Sequence, residues 1–110
     1  MDCIFCKIVA GEIPSAKVYE DDEVLAFRDI DPKAPIHILV IPKRHIAGAA
    51  AIRPEDGSTV GHIFRVIAQI TAQQGIKDFR VVTNNGADAG QTVPHLHFHI
   101  LAGRQLGEMG

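Results

Sequence analysis

Apolar and polar residues recur with two different periods along this chain, and the changes of period mark its elements. Ile4, Phe5 and Ile8 have helical spacing ahead of Gly11, which predicts a short N-terminal helix closed by that glycine. Pro14 ends the connection that follows. Lys17 to Glu20 and Glu23 to Arg28 are two short strand patterns around the turn Asp21-Asp22, and Asp29-Ile30-Asp31-Pro32 is a polar turn leaving the second. Ile36 to Ile41 is almost wholly apolar and β-branched, the pattern of a central strand covered on both faces, with Pro42 ending it. Pro54 to Ser58 offers several helix caps. Val60, Ile63, Phe64, Ile67 and Ile70 then stripe one face of a long helix that stops before Gly75, with Val66 and its neighbours available to a partner subunit. Phe79 to Thr83 is a further strand, and the loop Asn84 to Pro94 leads to the last one. This order predicts an α+β domain, a mostly antiparallel sheet with helices on one side.

The last strand carries the most chemistry. In His95-Leu96-His97-Phe98-His99-Ile100-Leu101, histidine and apolar residues alternate, so an extended chain puts Leu96, Phe98 and Ile100 on one face and three imidazoles on the other. One histidine on a strand is ordinarily structural, but three in register point to a site, because imidazole is poised near neutral pH. At about 3.3 Å per residue, His95 and His99 stand roughly 13 Å apart, too far to share one tetrahedral ion with ligand distances near 2 Å. Two of the three could share one. An elongated substrate such as a phosphate ester or amide fits the whole row better. The glycines of the preceding loop allow close backbone approach, and its amides and the Thr92 hydroxyl can donate to an anion.

Composition narrows the class. The 110 residues make a single domain, and 46% hydrophobic content predicts a packed core. A net charge of −2 provides no footprint for nucleic acid and no basic membrane patch. Neither a membrane-length apolar run nor a signal peptide is evident, so a cytoplasmic protein is expected. The two cysteines are no disulfide framework. Cys3 and Cys6 have metal-ligand spacing, which redox pairs and incidental pairs share.

The triad resembles the defining motif of the histidine triad (HIT) family. Phe5-Cys6-Lys7-Ile8, Gly11-Glu12-Ile13-Pro14, Leu25-Ala26-Phe27, Asp29-Ile30, Ala34-Pro35, Val40-Ile41-Pro42-Lys43, His45, Asn84, Gly90-Gln91-Thr92-Val93 and Gly103-Arg104-Gln105 are similar to its Hint-like branch. The resemblance covers nearly the whole chain, residues 1–110, as one HIT domain. It implies a five-stranded sheet with one long and one short helix, two such sheets joining in a homodimer. It also implies hydrolysis of purine nucleoside phosphoramidates, adenosine monophosphoramidate-like compounds, through a nucleotidyl-histidine.

By position, the resemblance makes His97 the nucleophile, sets His99 on the phosphate, has His95 hold the nucleophile's surroundings and makes His45 a fourth histidine at the edge of the site. It assigns Asn84, Gln91 and Thr92 to the phosphate or leaving group, Asp29 to the ribose, and Ile4, Phe5, Ile8, Phe27 and Ile30 to the base. Some bacterial relatives hold structural zinc at positions matching Cys3, Cys6, His45 and His95. The absence of a Walker loop or an acidic magnesium pair fits a transfer that needs no metal for its chemistry. Two departures stand out. No Trp-Pro-Pro-Gly tail follows Gly103-Arg104-Gln105, and Pro94 replaces a common aromatic residue. The alternatives are a zinc-containing nucleotide-binding regulatory protein and a dinucleoside polyphosphate hydrolase.

Overall fold

The computed structural model describes residues 3–109. Its elements are α1 (Ile4–Val9), β1 (Lys17–Glu20), β2 (Val24–Arg28), β3 (Ile36–Pro42), α2 (Gly57–Gln73), β4 (Phe79–Val82) and β5 (Phe98–Ala102). The five strands form one antiparallel sheet in the order β1-β2-β3-β5-β4, an α+β fold with β3 at its centre.

Both faces of that sheet are covered, by different helices. Val24, Ala26, Ile38, Val40, Phe98 and Ile100 meet Ile63, Val66, Ile67 and Ile70 of α2 on one face. Leu25, Phe27, Leu39 and Ile41 meet Phe5 and Ile8 of α1 on the other. The sequence pattern had put the helices on one side. The strands themselves show why two are needed: β2 and β3 are apolar at successive positions, so each of their faces needs a cover. Val66 is likewise not free for a partner, being buried in the α2 face of the core. Phe64, which the sequence pattern counts in the stripe, is instead half exposed, one position on from the buried Ile63.

Both helices end in the same way. Gly11 follows α1 at φ +80° and Gly75 follows α2 at φ +68°. In each case the next N–H reaches back to the helix, Glu12 to Lys7 O at 2.9 Å and Ile76 to Thr71 O at 2.8 Å. These are Schellman ends, which require a left-handed residue and favour glycine there. At its start α2 is led in by a 3-10 turn, Pro54–Asp56, in which the buried Asp56 carboxylate accepts from Arg53 N at 2.8 Å and pairs with Arg44. With six residues, α1 is shorter than the ~12 that an isolated helix needs. Packing of Phe5 and Ile8 holds it, at about 1.5–3 kcal/mol for each buried side chain.

The last strand begins later than its alternating pattern. β5 starts at Phe98, paired with Val40, and the ladder lapses towards Pro42, which has no N–H to give. Leu96 N bonds instead to Ile46 O at 2.6 Å. The alternation nevertheless persists through the unpaired stretch, with Leu96 in the α2 core and His95 and His97 on the α1 side. The imidazole face is therefore roofed by α1. No helix among the described residues is long and apolar enough to cross a membrane.

Candidate active site and metal centre

The roles of the three histidines follow from what each ring nitrogen faces. His95 is fully buried, and its Nε2 lies 2.8 Å from Pro42 O, which can only accept. That nitrogen therefore carries the proton, and the Nδ1 lone pair faces Cys3 Sγ at 3.4 Å and Cys6 Sγ at 3.6 Å. His45 Nδ1 lies 3.3 Å from Cys6 Sγ. Ligand atoms of all four residues lie within 4.8 Å of one another. A tetrahedral zinc with Zn–S near 2.3 Å and Zn–N near 2.05 Å sets its sulfur and nitrogen ligands about 3.5 Å apart, so the donors fit. Burial lowers the His95 pKa, keeping the ring neutral, while burial and the neighbouring Cys3 raise that of the Cys6 thiol. A cation at this point reverses the thiol's preference.

The same His95 positions its neighbour. His97 Nδ1 donates to the His95 carbonyl at 2.6 Å, so the tautomer this contact selects carries its lone pair on Nε2. Thr83 Oγ1 holds the His97 carbonyl at 2.7 Å, and the Phe5 ring meets the imidazole edge-on at 5.1 Å. His97 lines a cavity of about 280 Å³ walled by Ile4, Phe5, Ile8, Phe27 and Leu39, with Asp29, Thr92 and His99 as its polar rim and Ile30 wholly exposed beside them.

His99 has the opposite tautomer, set by a chain of hydrogen bonds. Lys33 N donates to His37 Nδ1 at 3.0 Å, so the His37 proton is on Nε2. That proton goes to His99 Nδ1 at 2.8 Å, with Asp29 Oδ2 at 3.4 Å. The His99 proton is therefore on Nε2, a buried atom with no partner among the described residues. Burial, with His97 and His37 adding to it, pushes the His99 pKa down to about 4, and burial also lowers that of His37. An unpartnered buried N–H beside a bare imidazole lone pair suits an anionic, electrophilic group. Asp29, His37 and His99 lie close enough to hold a metal. However, a cation on His37 Nε2 would displace its proton while Lys33 N still occupies Nδ1, so a hydrogen-bonded relay is the better description.

Of the other residues singled out in the sequence, Asp29, Asn84 and Thr92 line a second cavity of about 480 Å³ that shares Asp29, Thr92 and His99 with the first. Asp29 is also a turn residue, its Oδ1 accepting from Asp31 N at 2.8 Å. His45 sits with the thiols and lines neither cavity, and Gln91 lines neither. His37 was missed by the sequence reading. A lone histidine inside the apolar run Ile36–Ile41 was its signal, but only the pairing of β3 with β5 puts it against His99.

A profile of the HIT domain matches residues 10–106, and the chain belongs to the HIT family. A histidine triad protein from Clostridium difficile superposes with a TM-score of 0.95 at 54% identity, covering 100% of this chain and 97% of that one. A HIT family hydrolase from Clostridium thermocellum does so with a TM-score of 0.93 at 42% identity, covering 98% and 96%. A 14 kDa zinc-binding protein of Zea mays is 46% identical over 106 residues, 94% of this chain and 83% of its own length.

Proposed function

We propose that the protein hydrolyses purine nucleoside 5′-phosphoramidates of the adenosine monophosphoramidate type through a nucleotidyl intermediate on His97. The observation that carries this reading is the pair of opposed tautomers, an Nε2 lone pair on His97 and an unpartnered Nε2–H on His99. The base occupies the apolar cavity under α1, the ribose hydroxyls bond to Asp29, and His99, Thr92 and Asn84 receive the phosphate. His97 Nε2 attacks phosphorus as the P–N bond breaks, and the leaving nitrogen takes a proton from solvent and departs as the amine. Water then cleaves the His97–phosphorus bond and frees the nucleoside monophosphate. Two displacements at a neutral imidazole replace one harder one. Kinship with HIT family hydrolases supports the reaction class.

Cys3, Cys6, His45 and His95 would hold one zinc ion, whose contribution is structural, since four protein donors leave it no open position. We also infer a homodimer formed along β4. That strand is a sheet edge with Phe79 exposed, and beside it the half-exposed Phe64 of α2 meets Phe98 edge-on at 5.3 Å, leaving apolar area next to unpaired backbone.

Rapid acid quench during turnover of an adenosine phosphoramidate tests the reaction. Mass spectrometry should find one nucleotidyl group on the peptide containing His97, and His97→Ala should lose the adduct and about 10³-fold or more in rate. Nucleotide binding with neither turnover nor adduct would replace this reading with that of a regulatory nucleotide-binding protein.

A further inference from the structure

Gly48 is extended, at φ 176° and ψ −175°, a conformation any residue adopts. Space is what requires glycine there. A Cβ at this position would lie 2.7 Å from Asn85 Oδ1 and 3.3 Å from both polar atoms of the Gln91 amide. Those two side chains fasten the loop before the triad to the segment after His45. Gln91 Oε1 accepts from Gly86 N at 2.8 Å, while Gln91 Nε2 donates to Ala47 O at 2.8 Å and to Val93 O at 3.0 Å. Asn85 Oδ1 accepts from Ala50 N at 2.9 Å. Both N–H groups and the oxygen of the Gln91 amide are thus engaged with backbone, and none faces either cavity.

We infer that Gln91 is a positioning residue seated on Gly48, a clasp that aims Thr92 and the triad at the reacting phosphorus rather than a contact to the substrate itself. Its grip falls on both sides of Thr92, through its own residue and through Val93 O, which also accepts from His95 N at 2.8 Å. Two bonds further on, His95 O orients His97. The base pocket's Ile4, Phe5, Ile8 and Phe27 lie across the cleft on α1 and β2, outside this clasp, while Thr92 and Val93 of the clasped loop line the near side of that cavity. Displacement of the clasp therefore acts on the chemical step and spares recognition of the base. Small misplacement of reacting groups by a remote change is known to reduce rates by about 10²-fold.

This inference rests on the proposed phosphoramidase reading, and the test separates the two. Gly48→Ala should lower kcat by about tenfold to a hundredfold and leave KM within about threefold, per folded protein. Gln91→Leu, similar in size but without the three hydrogen bonds, should do the same. The double variant Gly48→Ala/Asn85→Ala, which removes the nearer side chain that the new methyl meets but also its bond from Ala50 N, should recover part of the loss, a rescue that general destabilisation would not give. Amide exchange at Gly86, measured by NMR without substrate, should rise at least tenfold in both single variants while Val66 in α2 stays protected. Unchanged kcat in Gly48→Ala and Gln91→Leu, or a rate loss with no rescue, overturns the clasp. Should the wild type turn over no phosphoramidate, the proposed reaction falls, and unchanged Gly86 exchange would then overturn the clasp independently.

Discussion

The His97 Nδ1–H donates to the main-chain carbonyl of His95 at 2.6 Å, so the residue whose side chain faces two thiols also fixes the tautomer of the ring in the cleft. Candidate metal site and candidate nucleophile are thereby separated by one residue and joined by one hydrogen bond. They also share α1: Cys3 and Cys6 flank Phe5, whose ring contacts His95 at 5.9 Å and His97 at 5.1 Å.

Protein purified without chelator is expected to contain about one zinc per chain, and the Cys3→Ser/Cys6→Ser variant none. Without the ion, α1 retains only its apolar packing, so amide exchange over Ile4–Val9 should accelerate and nucleotide affinity should fall through the loosened base pocket. Metal analysis by mass spectrometry together with hydrogen exchange checks this. Folded wild-type protein free of metal would rule out the zinc site.

His37→Ala removes the donor that fixes the tautomer of His99. The rate should fall about tenfold to a hundredfold, in the range of a misaligned oxyanion donor. The 15N spectrum of the His99 ring should change from a single Nε2–H form to a mixture of tautomers. A normal rate with an altered tautomer would remove His99 from phosphate binding.

Stability should decline in mild acid. An unfolded histidine has a pKa near 6.5, whereas that of His99 is about 4 in the fold and that of His37 is also lowered, both chiefly by burial. Between about pH 6.5 and 4 the unfolded chain therefore binds more protons than the folded one. This contribution is complete above pH 6.5 and disappears as pH falls towards 4. Calorimetry should show Tm dropping over that interval, with a shallower slope in His37→Gln/His99→Gln. Equal slopes in the two proteins would refute the assignment.

Asp29→Ala should narrow the preference for ribonucleotides over 2′-deoxyribonucleotides. A carboxylate accepting from ribose hydroxyls discriminates at about 1.5–3 kcal/mol for each charge-assisted bond, so loss of the 2′-hydroxyl should reduce wild-type kcat/KM about ten- to a hundredfold. Comparison of kcat/KM for the two substrates checks it. If the variant keeps the full gap, Asp29 serves only the turn in which its Oδ1 holds Asp31 N.

What the sequence determined by itself was local. A period of two assigns His95, His97 and His99 to one face whether or not the ladder reaches them, because alternation is a property of an extended backbone. Gly11 and Gly75 closed their helices because a left-handed residue is needed within the span of a few bonds. Tertiary structure decided everything that depends on which distant segments meet. Nothing near His37 announces His99, which lies 62 residues away and becomes its neighbour because β5 pairs with β3 instead of following β4 at the edge. His45 and Cys6 are 39 residues apart and meet because α1 folds over the sheet face opposite α2. The protonation pattern was likewise beyond the sequence. A histidine's tautomer is set by whichever carbonyl, amide or imidazole lies against each nitrogen, and those partners are contributed by strands and loops from the whole length of the chain.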